Sequence, residues 1–568
     1  MAHVLRHAIA LHEWRHRRAF DVATEDPAGA QARVLGRLLR DNATTSFGRE
    51  HAFATTSTPA EFARRVPIRD YEALRPYVAR ILAGEARVLT AEAPFMFTST
   101  SGTTGAPKLV PVTESWTAAM ASLTRLWLVH ALADHPGMLD RRVLAMVSPA
   151  VEGMCAGGLP HGAMTGLTLQ RLPWPIRRRQ SVPYANALIA DHETRYIVAA
   201  RLALAHSVSS IGIPNASTLL RLADVATRHA ETLVRAIHDG TLGVEHVAPT
   251  VHAGISAEEL HAVLAAGLAP DPPRAAALAR VLDRHGRFVL GECWPELALL
   301  ACWLGGSAGI GARHLDAHFG SRVPRRDLGL VASEGRLTIP VDDRSAAGVL
   351  AVHATFFEFV PEEAIEDASP RTLRCHELEL GRRYYVIITG ANGLYRYDLN
   401  DIVEVQGFYG QTPKVAFVRK GRDMLNITGE KLHLNHVLHA VHAAERATEL
   451  GAWQFRLIPD VEAMRYDLLV EMPGPTADGR ALAAFAAAFD RGLGEVNIEY
   501  ASKRASARLL APRVFLMRPG WSERLCRADF ARGRRETQHK WSALVGEWDA
   551  ASRAEIVERV AEPTEVTS

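Results

Sequence analysis

Apolar side chains between Ala30 and Ala86 return every three or four positions, with Leu35, Leu38 and Leu39 the clearest. That spacing predicts helices with one face turned to a core. Strand-like runs follow at Arg142–Val147, Ser209–Ile213, Val349–Ala354 and Tyr384–Ile388, with helical stretches at Thr218–His238 and Pro273–Arg284 between them. Alternation on this scale predicts an α/β architecture of mixed or parallel sheets. The most apolar stretch, Leu297–Ala312, is shorter than a membrane span and holds Gly305, Gly306 and Gly309. It reads as a buried helix or strand entering a glycine turn.

The pattern changes after the strand-like run Val415–Val418, where Arg419-Lys420-Gly421-Arg422-Asp423 forms a charged turn. Beyond it lie a helix at Asn435–Glu445, strand-like runs at Trp453–Ile458 and Asp467–Glu471, and a helix at Ala481–Gly492. These compose a separate α+β domain, so the expected division is 1–418 and 419–568.

Composition narrows the class. A chain of 568 residues is too long for one core, and 48% hydrophobic with 23% charged residues is ordinary globular usage. Lys plus Arg number 65 against 63 Asp plus Glu, a balance that argues against a nucleic-acid partner. The cluster Arg177-Arg178-Arg179 reads as solvated loop charge. Cys155, Cys293, Cys302, Cys375 and Cys526 are scattered without a CxxC pair, which suits a reducing cytoplasm and excludes a zinc framework. The first residues lack a signal-peptide core, so a soluble cytoplasmic protein with no membrane partner is expected.

The chemistry concentrates at Phe97–Lys108. Six hydroxyl side chains (Thr98, Ser99, Thr100, Ser101, Thr103, Thr104) and two glycines (Gly102, Gly105) follow the apolar run Ala93–Phe97 and close on Lys108. Hydroxyls and bare amides wrap phosphate oxygens, and the lysine adds charge for a polyphosphate. A Walker loop is excluded, because Lys108 follows a proline and leads into the strand-like Leu109–Val112 rather than a helix. Ser333 and Glu334 end a short apolar run, where a carboxylate suits Mg²⁺ or simply faces water. Asp398 and Asp401 sit among aromatic and apolar residues, placed either to accept ribose hydroxyls or to pair with Arg396 in a hairpin. Lys540 alone reads as a surface charge. His433, His436, His439 and His442 recur every third residue; that step drifts around a helix, so they predict an exposed helix surface rather than a metal site.

Taken in order, Thr45–Arg49, Val66–Glu72, Arg75–Val78, the hydroxyl loop, Ala332–Glu334, Tyr395–Tyr397 with Asp401, and Gln538–Lys540 resemble the auxin-responsive acyl-acid amido synthetase family. This is a branch of the adenylate-forming superfamily whose plant members join auxin, jasmonate or benzoates to amino acids. The resemblance implies a large N-terminal α/β adenylation domain and a small mobile α+β C-terminal domain. It also implies ATP and Mg²⁺ as cofactors, with a carboxylic acid and an amino acid as small-molecule partners. Thr100, Ser101, Gly102, Thr103, Thr104, Gly105 and Lys108 would hold phosphates. Ser333 and Glu334 would lie beside the adenylate and magnesium, and Asp401 would bind the ribose. Arg419 and Arg422 would lie at an interdomain hinge, and Lys540 would join Lys108 and Glu334 as a catalytic residue. Two motifs depart from the family: its usual Arg-Val-Gly-Asp reads Asp398-Leu399-Asn400-Asp401, and its Gln-Tyr-Lys-like motif reads Gln538-His539-Lys540. An acyl- or aryl-CoA ligase and a catalytically silent nucleotide-binding protein are the alternatives. The acid's pocket is expected from Pro173–Asn215 and Leu328–Ala332, plus the helices between the motifs.

Overall fold

The computed structural model describes residues 17–100, 108–306, 308–365, 367, 370–421, 424–428, 430–472, 479–505, 508–531 and 541–560. The chain divides into two compact units, Met1–Gly305 with Ala312–Phe417, and Gly306–Gly311 with Val418–Ser568.

The larger unit is α/β, with three principal sheets. Four short parallel strands stand in the order Arg142–Leu144, Val208–Gly212, Leu299–Ala301, Arg325–Arg326. Helices connect them, as parallel strands require. One of these, Pro272–His285, starts where Asp271 accepts the Arg274 amide at 3.0 Å and stops at Gly286, whose φ is +64°. The stretch read as one helix over Thr218–His238 is two, Ala216–Arg228 and Ala230–Asp239. They break at His229, whose ring and the Arg228 guanidinium both reach Glu193, at 3.3 and 2.6 Å.

A six-stranded sheet runs Thr338–Ile339, Ala347–Leu350, Thr412–Lys420, Tyr397–Tyr409, Arg383–Thr389, Phe356–Pro361. The N-terminal helices predicted by the periodicity pack on it through Leu35, Leu38, Phe47, Phe62, Leu74 and Val78. Phe47 stacks on Tyr395 with ring centroids 4.7 Å apart, and the Tyr395 hydroxyl donates to the Leu89 carbonyl at 2.8 Å. The strand Thr412–Lys420 runs two residues further than the pattern implied. Arg419 therefore lies in a strand and not in a turn, buried and donating to the Lys420 and Gly421 carbonyls.

The smaller unit carries a sheet in the order Gln454–Asp460, Arg465–Glu471, Arg513–Met517, Ile556–Val560, backed by Leu434–Thr448 and Gly479–Val496. These helices approach so closely that a Cβ on Gly492 would lie 2.8 Å from Ala440 Cα. The histidine row does not form an exposed helix surface. His433 is in a two-residue strand, His436 accepts its amide and faces Asn497, and only His439 of the four is exposed. The helix begins one residue after His433, so its first turn faces the chain that enters it. Among the described residues no cluster of three metal-binding side chains occurs, and no helix is long and apolar enough to cross a membrane.

Candidate active site

The hydroxyl-rich segment is the connection of a β-hairpin. Met96–Thr100 and Lys108–Val112 pair antiparallel from Met96 opposite Val112 to Thr100 opposite Lys108. Lys108 thus leaves the loop at a fixed register, its Nζ 5.9 Å from the centroid of the Tyr71 ring, at the edge of cation–π range. Tyr71 is itself held by Leu109, whose amide donates to its hydroxyl at 2.7 Å.

Ser333 and Glu334 are the two turn residues of a second hairpin, Val331–Ala332 with Gly335–Arg336, in which Ala332 opposes Gly335. Thr98 donates to the Ser333 hydroxyl at 3.3 Å, so the first hairpin touches the second. The Glu334 carbonyl is gripped from two directions, by Trp116 Nε1 at 3.3 Å and Asn392 Nδ2 at 3.1 Å. Trp116 belongs to the long helix Glu114–Asp134, and Asn392 to the turn after the strand Arg383–Thr389.

Tyr397 ties the third motif to these. Its phenol is pushed well up, first by burial and then by the negative charges of Glu334 and Asp398, with smaller contributions from Tyr71 and Asp401. The charges of both motifs thus act on one phenol. Asp401 is 3% exposed on the same strand. Arg396 does not pair with an aspartate of its own motif. It forms a buried fork with Glu358, at 2.8 and 3.0 Å, and donates to the Ala63 and Val66 carbonyls.

A small cavity opens against Glu334. Trp116, Ala119, Met120 and Leu123, spaced to share a helix face, form one wall, and Gly335, Ile388 and Gly390 lie on another. Its lining draws on the helix Glu114–Asp134, which lies between two of the motifs, and not on Pro173–Asn215 or Leu328–Ala332.

Behind the hairpin, burial pushes the Asp327 carboxyl up to about 6, against the Leu304 and Gly329 amides and Arg336, whose guanidinium burial lowers to about 10. A raised folded-state value means tighter proton binding in the folded chain. The stability it contributes is complete below 3.8 and lost as pH rises through about 6. Asp327→Asn is expected to flatten the pH slope of stability across that window, measured by urea melts of both proteins.

A profile of the GH3 family N-terminal domain matches residues 16–324, with the central domain matching 348–420 and the C-terminal domain 435–547. The chain belongs to the GH3 family. The resemblance read from its ordered motifs is borne out. An indole-3-acetic acid-amido synthetase of Oryza sativa subsp. indica is 26% identical over 92% of this chain and 89% of its own length. A jasmonoyl-L-amino acid synthetase of Nicotiana attenuata is 23% identical over 75% of each chain. Among solved structures, the GH3.15 acyl acid amido synthetase superposes with a TM-score of 0.82 at 20% identity, covering 95% of this chain and 96% of that one. A 2-hydroxyisobutyryl-CoA ligase reaches 0.50 at 12% identity, covering 92% and 90%. These likenesses are of fold, that of the adenylate-forming enzymes.

In the motif Asp398-Leu399-Asn400-Asp401, Asn400 has a φ of +57°. Asparagine is among the few side chains that tolerate this region, and the Asp398 carboxylate accepts the Asn400 amide at 2.7 Å to hold the turn. The asparagine thus suits the left-handed turn just before Asp401. Asn400→Gly is expected to stay within about 0.5 kcal/mol of wild type, and Asn400→Val to lose about 1–2 kcal/mol, in denaturant melts.

Thr100 is described as a strand-end backbone position. Ser101, Gly102, Thr103, Thr104, Gly105, Arg422 and Lys540 lie outside the described residues. Trp116, Asn392 and Tyr71 were not singled out by sequence reading. The Asn392-Gly393 pair is a turn signal that marks the place, and nothing local marks the tryptophan.

Proposed function

We propose that this GH3 protein is an ATP-dependent, AMP-forming acyl-acid amido synthetase. The observation that carries the reading is that the hairpin bearing the hydroxyl loop and Lys108 touches the hairpin bearing Ser333 and Glu334, through the Thr98–Ser333 hydrogen bond. In the first step a carboxylate oxygen of the acid attacks the α-phosphorus of ATP. The bond to the bridging oxygen breaks and pyrophosphate leaves. In the second, an amino-acid nitrogen attacks the acyl carbon, AMP leaves, and the nitrogen gives up a proton.

Both steps need positioning and charge stabilisation more than covalent help. Lys108 and the loop Thr100–Gly105 are assigned to the phosphates, and Asp401 to the ribose hydroxyls. The donor set fits magnesium rather than zinc, since one carboxylate with phosphate oxygens is a common Mg²⁺ arrangement and no His/Cys cluster occurs among the described residues. Glu334 would hold the ion, which when bound neutralises phosphate charge. The proposed domains are 1–418 and 419–568, with Arg419 and Arg422 at the hinge and Lys540 brought to the adenylate. All five cysteines are free thiols, in keeping with a cytoplasmic setting.

The test is acid-dependent exchange of pyrophosphate into ATP, followed by AMP release on adding amino acids or CoA. Release stimulated by amino acids is expected. Release stimulated by CoA alone would make the protein a CoA ligase, and no exchange across a broad acid panel would leave a silent nucleotide binder.

A further inference from the structure

Asn392 is fully buried in the turn Gly390–Gly393, between the strands Arg383–Thr389 and Tyr397–Tyr409. Its Nδ2 donates to the Glu334 carbonyl, which fixes the amide's orientation, since the flipped form would set two acceptors face to face. Oδ1 then points the other way, buried and without a protein hydrogen bond among the described residues. It lies beside Gly390, a residue of the cavity wall, on which a built Cβ would sit 2.8 Å from it. The wall around it is otherwise mostly apolar, from Trp116, Met120, Leu123 and Ile388, with Thr355 the one aliphatic hydroxyl.

A buried acceptor left without a donor is costly, and a ligand that brings one relieves the cost. A mostly apolar wall with one buried acceptor left unpartnered beside it selects a compact apolar ligand carrying an O–H or N–H group. We infer that the acid adenylated by this protein carries such a donor, and that Asn392 Oδ1 receives it as a specificity determinant. The inference rests on the amido synthetase reading. The adenine amino group is the other N–H donor the site would meet, and the experiment separates the two.

Pyrophosphate exchange is measured with matched acids: benzoate against its three monohydroxy isomers, and butanoate against 3-hydroxybutanoate. At least one hydroxylated member is expected to exceed its partner in kcat/KM by about tenfold. Asn392→Ala should bring that ratio to about one. Losing the Glu334 contact slows all acids alike and does not move a ratio. Gly390→Ala, which crowds Oδ1 while keeping the asparagine, should lower the ratio as well. A wild-type ratio near one for every pair, or a preference that survives both variants, overturns the inference. So does a rise in KM for ATP in Asn392→Ala with the acid ratio unchanged, which would assign Oδ1 to adenine. Exchange with no acid at all overturns the parent reading and this inference with it.

Discussion

Glu334→Gln is expected to lower the rate of acid-dependent pyrophosphate exchange about 10²–10³-fold, the size of effect that follows loss of one preorganised charge-stabilising group. The substitution is chosen because the fold holds Glu334 by its main chain. Trp116 and Asn392 both donate to the Glu334 carbonyl, and the turn is closed by the pairing of Ala332 with Gly335. Removing the side-chain charge therefore leaves these main-chain contacts and the hairpin in place. Activity within threefold of wild type, on the order of 0.7 kcal/mol, would remove Glu334 from the mechanism.

Glu358→Ala is expected to destabilise the larger unit by about 3–5 kcal/mol in equilibrium denaturation, the cost of stranding a buried charge. Glu358 is 3% exposed and Arg396 5%, and Thr372 donates to the same carboxylate at 2.8 Å. The Ala63 and Val66 carbonyls satisfy part of the guanidinium but carry no charge to balance it. The double variant Glu358→Leu/Arg396→Met should recover much of the loss, because apolar residues of similar volume often replace a buried pair at little cost. A single-variant loss below about 1 kcal/mol would show that this pair is solvated like a surface one. The pair also bears on the site. Arg396 precedes Tyr397 and holds a φ of +47°, and its carbonyl accepts the Arg69 amide at 2.9 Å. The strand that presents Asp401 is thus pinned at the residue this ion pair secures.

Much of the architecture was legible because its signals are local. Periodic leucines marked the N-terminal helices, and apolar runs marked the strands to within a few residues. Hydroxyls, glycines and Lys108 marked a loop whose two ends do pair as strands. Boundaries failed where a tertiary neighbour decided them. The strand Thr412–Lys420 is extended by pairing within its sheet, while the helix over Thr218–His238 is broken where His229 turns to Glu193. The histidine row failed for the same reason, since its period says nothing about Asn497, which is distant in sequence and packs against His436.

The amino-acid order alone was enough to name the family and the chemistry, because motifs that bind phosphates and ribose are short and must keep their residue types. It also determined the α/β class, through patterns that each span one element. The cavity beside Glu334 was decided only by folding. Trp116, Gly335, and Ile388 with Gly390 come from three separate stretches of chain, and the Glu334 carbonyl meets donors 218 and 58 residues away. No single stretch encodes the cavity, for its walls exist only once the long helix, the Glu334 hairpin and the strand Arg383–Thr389 with its turn have packed together.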